Sequence, residues 1–277
     1  PDFRDYTGEH ELIRPLLEKT RAGDTAKKEP MPPAVDLRAW CSPVEDQKSL
    51  GSCTANAGVG ILEYFERRAY GKHIDASRLF LYKATRNLLH WTGDRGAFLR
   101  TTMKALRLFG VPPEEYWPYV IADFDVEPSA FCYAFGEDYE AMAYYRLDPS
   151  GTSPKELVSR VKKHLHAGLP SMFGFTVYHS ISQASGTGKI PVPAPGEGSL
   201  GGHAVVAVGY DDDVKTTNSA PGSPTYKGAL LIRNSWGGGW GPMGGYLWLP
   251  YEYVLRGLAT DWWTLMKAGG VDTGAFE

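Results

Sequence analysis

The chain has 277 residues, enough to bury a sizeable core and to form one large domain or two lobes. Apolar residues make up 43% and charged residues 22%, an ordinary globular balance that excludes fibrous and disordered chains. The net charge of −3 offers no basic surface for nucleic acid or an anionic membrane, and no apolar run approaches the ~18 residues of a membrane span. The expectation is a soluble monomer without nucleic-acid or membrane partners. The first residue is Pro1 rather than methionine, which fits a leader removed upstream.

Residues 1–33 are polar and charged, and close with Lys27-Lys28-Glu29-Pro30-Met31-Pro32-Pro33. Leu12, Ile13, Leu16 and Leu17 predict a short helix with one apolar side, Pro15 marking its boundary or its first turn. Gln47 stands six residues before Cys53. Gly51-Ser52 then turn the backbone, and a helical pattern starts at the cysteine itself. Ala57, Ile61, Tyr64, Phe65 and Arg68 share one face of that helix. Ser77 reads as the N-cap of a second helix. Leu99, Met103 and Leu106 line a third, closed by Gly110. The loop 90–96 carries His90 but no second His or Cys at ligand spacing, so no metal is expected.

The second half changes character. Ala141 to Leu147 predicts a strand. Ser153-Pro154-Lys155-Glu156 is a capping box with proline at the first helical position, opening a helix that stops at Gly168. His164 and His166 lie two apart on it, cannot face one ligand together, and are expected in solvent. The runs 171–178, 203–210, 228–234, 246–249 and 260–266, rich in β-branched and aromatic residues, predict strands. Helices first and strands later define an α+β chain with a helical lobe and a β lobe. The Gly/Pro-rich stretch 185–202 is a loop, and its Gly186-Thr187-Gly188-Lys189 lacks the spacing of a phosphate loop.

A thiol on the first turn of a helix feels the positive end of the dipole, which favours the nucleophilic thiolate. A lone cysteine in such a place is as a rule a small buried apolar residue. Two later stretches alter that reading. Gly201-Gly202-His203-Ala204-Val205-Val206 puts a histidine at the head of an apolar run, and Ile232-Arg233-Asn234-Ser235-Trp236-Gly237 puts an asparagine at the end of another. Cys, His and Asn in that order are the parts of a cysteine-nucleophile hydrolase.

On these residues the sequence resembles the papain family of cysteine proteases, from about Pro33 to the C-terminus. The resemblance implies a two-lobe fold, with a helical left lobe, an antiparallel β-barrel right lobe and the active-site cleft between them. It divides the chain into a pro-segment-like arm (1–33), a mainly helical lobe carrying the nucleophile (34–145) and a mainly β lobe carrying His and Asn (146–277). Cys53 would be the nucleophile, paired as thiolate with a protonated His203, and Asn234 would orient the imidazole. Gln47 and the Cys53 N–H would form the oxyanion hole. Trp236 would cover the His203–Asn234 hydrogen bond.

Departures from the family pattern bear on this. Its usual motif is Cys-Gly-Ser-Cys-Trp, whereas Leu50 and Thr54 stand here at the first Cys and the Trp. The familiar disulfide is therefore lost. Cys41 and Cys132 can bridge or stay free, two free buried thiols being the simpler reading. Gly96-Ala97 aligns with the glycine pair that holds substrate backbone. Phe98, Gly174 and Ala204 fall at the main specificity pocket and imply room for a bulky apolar side chain. Residues 211–227 read as a surface hairpin insertion. The implied function is a cofactor-free and metal-free endopeptidase acting on peptide or protein substrates, with an arm that restricts the cleft. Two alternatives use the same scaffold. A thiol acyltransferase would usually carry Asp in place of Asn234, and a non-catalytic binding protein would usually have lost one of the four residues.

Overall fold

A computed structural model describes residues 5–23, 30–136, 141–268 and 271–272. Residues 1–4 and 24–29 of the expected arm lie outside the described residues. One helical turn, α1 (Arg14–Leu17), and a short strand, β1 (Ala34–Asp36), precede the helical half. That half contains α2 (Cys53–Tyr70), α3 (Arg78–Leu88), α4 (Leu99–Phe109) and α5 (Ala130–Gly136). The sheet half follows as β2 (Ala141–Arg146), α6 (Pro154–His166), β3 (Ser171–Tyr178), α7 (Ala184–Thr187), β4 (Ser199–Thr217), β5 (Thr225–Arg233), β6 (Tyr246–Pro250), α8 (Glu252–Leu255), β7 (Ala259–Ala268) and β8 (Val271–Asp272). Its strands run in the order β2-β7-β3-β4-β5-β6, all antiparallel, with β1 added to β4 and β8 to β7. The architecture is α+β with two lobes. β1 pairs Ala34 with Asp211, so the segment that follows the arm is anchored to the sheet rather than to the helices.

Helix α2 passes between the lobes, and its composition explains how. From Thr54 to Phe65 every residue is buried, a wider face than the amphipathic spacing alone predicts. Small residues permit this. Gly58 sits against Leu81, Thr102 and Leu106, and at Gly60 a Cβ would run into the Arg233 guanidinium. Close backbone approach of this kind is what glycine inside a helix provides, at some cost in helix propensity. The helix closes on Gly71, in the left-handed region at φ 72°. Near its end Tyr64 Oη donates to the Gly168 carbonyl at 2.9 Å, tying α2 to the turn before β3.

The capping signals hold. Ser77 Oγ accepts from Phe80 N at 3.1 Å, and Ser153 Oγ from Glu156 N at 3.3 Å. The second capping box is half-formed, because the Glu156 carboxylate turns to Arg160 at 2.6 Å. The hairpin expected at 211–227 is present, as the outer parts of β4 and β5 joined at 218–224.

Three expectations need correction. The stretch 185–202 is not all loop, because α7 occupies its start and β4 begins at Ser199. His164 is not in solvent. It lies on the buried face of α6 with Leu157, Val161 and Leu165, a spacing of four, three and one that belongs to one helix face. Its Nε2 meets Tyr145 Oη at 2.5 Å and its Nδ1 the Arg160 carbonyl at 2.7 Å. Leu12 is exposed, while Ile13 and Leu17 are buried, because a single turn is too short to align all four apolar residues of the arm. The arm docks through these two side chains and through Arg146, whose N–H donates to the Tyr6 carbonyl at 2.8 Å. Asp5 pairs with Arg100 at 2.5 Å, and Lys163 Nζ donates to the Gly23 carbonyl at 2.9 Å.

Burial pulls both His164 and His203 down to about 4, against an ordinary value of 6.5. Between those values the unfolded chain binds protons that these two folded-state imidazoles refuse, so their contribution to stability falls as pH drops from about 6.5 to about 4, while the buried Glu45 and Glu63 carboxyls, raised to about 8 and about 7, act in the opposite sense. His164→Gln should flatten that fall. Thermal midpoints measured across the window for both proteins check it, and parallel slopes would count against it.

Candidate active site

Cys53 is the first residue of α2, and the preceding N-cap, Ser52, makes no side-chain cap. The Ser52 hydroxyl instead bonds Tyr119 Oη at 2.6 Å and accepts from Asn56 Nδ2 at 3.1 Å. Backbone N–H groups of the first helical turn are thereby left to the thiol. The sulfur receives hydrogen bonds from the N–H of Ala204 on β4, across the lobe boundary, and from Thr54 and Cys53. Burial still pushes the Cys53 thiol above its ordinary range, against the pull of these donors.

His203 lies one residue before Ala204 on β4, opposite Phe175 of β3. Its Nε2–H donates to Asn234 Oδ1 at 2.7 Å. That tautomer leaves Nδ1 as the proton acceptor. Asn234 follows the last residue of β5, and its own N–H is held by the Gly245 carbonyl at 3.1 Å. The imidazole is enclosed by aromatic rings. Trp236 stacks on it at 4.8 Å, Phe175 meets it edge-on at 5.8 Å, and Trp240 backs Trp236 at 4.8 Å. This enclosure explains the value of about 4, because burial penalises the imidazolium and the Asn234 hydrogen bond only partly offsets it.

Gln47 is fixed from both ends of its amide. Ser235 Oγ donates to its Oε1 at 2.6 Å, and its Nε2 donates to the Leu50 carbonyl at 2.9 Å. One Nε2 hydrogen remains. The backbone joins in, with Gln47 N on the Ser235 carbonyl at 2.8 Å and an isolated bridge between Asp46 and Trp236. Tyr119 Oη donates to the Gln47 carbonyl at 2.8 Å. A line of hydrogen bonds therefore runs from Asn56 through Ser52 and Tyr119 to Gln47. Ser235 and Tyr119 are missed by the sequence reading. Ser235 stands inside the quoted Asn234 motif, while nothing local marks Tyr119.

Along the cleft, Gly96 adopts φ 74° and its N–H donates to Tyr82 Oη at 3.1 Å. Tyr82 in turn donates to Asp94, which also accepts from Gly51 N at 2.9 Å, so the loop before α4 is locked to the turn before Cys53. Phe98 is exposed and tilts against Trp91 at 5.3 Å. Gly174 pairs with Ala204 across β3 and β4. A Cβ at Gly174 would lie 3.3 Å from Leu99 Cδ1 and 3.7 Å from the Thr260 carbonyl. Leu99 and Thr260 thus adjoin Gly174, though the sequence places them only in a helix and a strand.

Cys41 and Cys132 are free and buried. Among the described residues, the only group of His, Cys, Asp and Glu close enough to hold a cation is Glu45, Asp75 and Glu114. Arg78 already stands between Glu45 and Glu114, at 2.9 Å from each.

A partly buried thiol at a helix start and an imidazole hydrogen-bonded to an amide on the sheet are the parts expected of a cysteine-dependent hydrolase. The profile of the papain family cysteine proteases matches residues 31–260, and the chain belongs to that family; it is a cysteine-type peptidase. It is 31% identical to xylellain, a cysteine protease from Xylella fastidiosa, with a TM-score of 0.74 over 96% of this chain and 92% of that one. An uncharacterized peptidase C1-like protein of Acanthamoeba polyphaga mimivirus is 33% identical over 80% of this chain and 69% of its own length. Cathepsin K of Gallus gallus is 29% identical over 77% of this chain, which spans 57% of that protein.

Of the three thiols, Cys53 stands at a helix start facing Ala204, which follows His203 in the chain, while Cys41 and Cys132 are buried. Mass mapping should find Cys53 alkylated by iodoacetamide below neutral pH while Cys41 and Cys132 stay unmodified in the folded protein. Equal labelling of all three would remove Cys53 from its place.

Proposed function

We propose that this peptidase hydrolyses internal peptide bonds with Cys53 as nucleophile, His203 as acid and base, Asn234 as its orienting group and Gln47 in the oxyanion hole. The observation that carries the reading is the 2.7 Å bond to Asn234 from His203, which stands one residue before Ala204, whose N–H acts on the Cys53 sulfur. Burial opposes a charge on either group taken singly. Moving the proton from sulfur to Nδ1 creates both charges together, each favouring the other, and the helix N–H groups favour the thiolate.

The thiolate attacks the carbonyl carbon, forming the C–S bond as the carbonyl electron pair moves onto oxygen. The free Nε2 hydrogen of Gln47 and the Cys53 N–H receive that oxyanion. His203 then protonates the amine as the C–N bond breaks. In deacylation His203 takes a proton from water, the resulting hydroxide attacks the thioester, and the thiol leaves with a proton restored. Ala97, whose N–H and C=O take no partner among the described residues, suits pairing with substrate backbone. Leu99, Gly174, Ala204 and Thr260 with Phe98 at the rim suit a bulky apolar side chain on the acyl side.

Parent enzyme should cleave a fluorogenic dipeptidyl amide and be blocked by an epoxysuccinyl inhibitor, and Cys53→Ala should do neither. Gln47→Ala should lower kcat by ~10²–10³ with little change in KM, because its hydrogen bond strengthens as the oxyanion forms. A Gln47→Ala variant with the parent kcat would remove Gln47 from the oxyanion hole.

The arm belongs to this reading. Asp5 is salt-bridged to Arg100, next to Leu99, and lies 3.7 Å from Arg146, whose guanidinium also binds Asp261, next to Thr260. The arm is thus seated one residue from two walls of the acyl-side pocket. Between the arm and α6 lies a cavity of about 270 Å³, lined by Arg14, Leu17, Arg160 and His164 among others. Deleting residues 1–30 should lower KM for peptide amides and speed labelling of Cys53. Unchanged kinetics in a truncated protein of normal stability would separate the arm from the cleft.

A further inference from the structure

The tip of the β4–β5 hairpin is not a free surface loop. Asn218, at the tip, is buried, which is unusual for a hairpin turn. Its Nδ2 donates to the Val192 carbonyl at 3.0 Å and lies 3.5 Å from Glu197 Oε2. Its Oδ1 accepts from Gln183 Nε2 at 3.1 Å and from Ala220 N at 3.0 Å. Gln183 completes the exchange by accepting from Ser219 N at 2.9 Å. Glu197 gathers the same segment from within, taking Ser180 N at 2.6 Å and Ala194 N at 2.9 Å. The hairpin therefore clamps the whole connection between β3 and β4.

That connection leads straight to the catalytic histidine proposed above. Ser199, Leu200, Gly201 and Gly202 are exposed and precede His203. Two adjacent glycines, one at φ 119°, give this rim little stiffness of its own. Its direction follows from register. Ala204 pairs with Gly174, at the acyl-side pocket, while Gly202, Gly201 and Ser199 pair with Thr176, Val177 and Tyr178. Each residue back along the strand moves ~3.3 Å from the pocket, so Leu200 lies ~13 Å beyond Ala204 on the other side of His203. His203 delivers its proton to the leaving amine, so this is the side on which the leaving peptide must lie.

We infer that Asn218 is a positioning residue which, through Gln183 and the Val192–Glu197 segment, fixes the rim Ser199–Gly202 against the leaving part of the substrate, with Leu200 supplying an apolar contact to a residue beyond the scissile bond. The inference rests on the Cys53–His203 assignment. A substrate that spans the cleft meets the rim, whereas an arylamide with residues only on the acyl side does not.

Two substrates therefore test it, an internally quenched peptide with an apolar residue after the scissile bond and the dipeptidyl arylamide. Asn218→Ala and Leu200→Ser should each raise KM for the spanning peptide about five- to tenfold, with arylamide kinetics within about twofold of the parent. Gln183→Ala reads the same clamp at a less buried position, should Asn218→Ala fold poorly. Combined with Asn218→Ala, it should add little, as expected of one network. Equal losses on both substrates, or no loss on either, overturn the inference. An inactive parent overturns the catalytic assignment and the inference with it, so the two failures are read in different proteins.

Discussion

The geometry of the site depends on one buried seam, where Arg233 reaches from the sheet into the helical half. Its guanidinium donates to Ser42 Oγ at 3.0 Å and to the Pro43 carbonyl at 2.6 Å, and Ser42 donates in turn to the fully buried Glu63 of α2. Glu63 also accepts from Ala76 N at 3.0 Å. Burial lifts its carboxyl to about 7, partly opposed by these donors and by Arg233. A buried cation and carboxyl linked through a hydroxyl add little stability against well-packed apolar residues, but removing one partner strands the other. The seam thus fixes a mutual position more than it adds stability. Arg233 immediately precedes Asn234, Gly60 makes room for it, and Ser42 begins the segment that reaches Gln47. Three parts of the proposed site, helix α2 with Cys53 at its head, the segment reaching Gln47, and Asn234, are thus referenced to one guanidinium.

Burial acts on the reacting pair in an unusual way. The rings of Trp236 and Phe175 that hold the imidazole in place are the same groups that discourage its charge. Water is kept from the His203–Asn234 bond, and the neutral state is favoured until a thiolate lies opposite. In the proposed mechanism charge separation would therefore be cooperative between the two side chains, with the N–H groups of the first helical turn acting in its favour against burial.

Much of this was legible in residues alone. The helix beginning at Cys53, the apolar run after His203 and the apolar run before Asn234 each carry a local pattern with a physical cause, although β4 itself starts earlier, at Ser199. The fold class follows from the order of helices and strands. What the sequence hid lies in contacts between distant segments. His164 reads as a surface histidine by its type, yet its spacing from Leu157, Val161 and Leu165 puts it on the buried face, where Tyr145 is its partner. Tyr119 has no neighbouring signal, because its role depends on meeting Ser52 and Gln47, both about seventy residues earlier in the chain. The width of the buried face on α2 was also hidden, since periodicity marks the side that faces one neighbour and α2 has neighbours all round.

The anchoring of the segment after the arm has a kinetic consequence. Pro32 O accepts from Tyr210 Oη at 2.9 Å, Pro33 O accepts from Asp212 N at 2.9 Å, and β1 continues on β4. The described part of the arm, residues 5–23, is covalently joined to the sheet it packs on, so it behaves as an attached ligand. An attached ligand of this kind sees an effective concentration of about millimolar, whatever the protein concentration in solution. A cut that separated the arm from β1 would leave β1 paired with β4 and change the molecularity of the arm's encounter with its seat. The arm would become an independent peptide, its occupancy would follow dilution, and it would leave without any alteration of the fold beneath it.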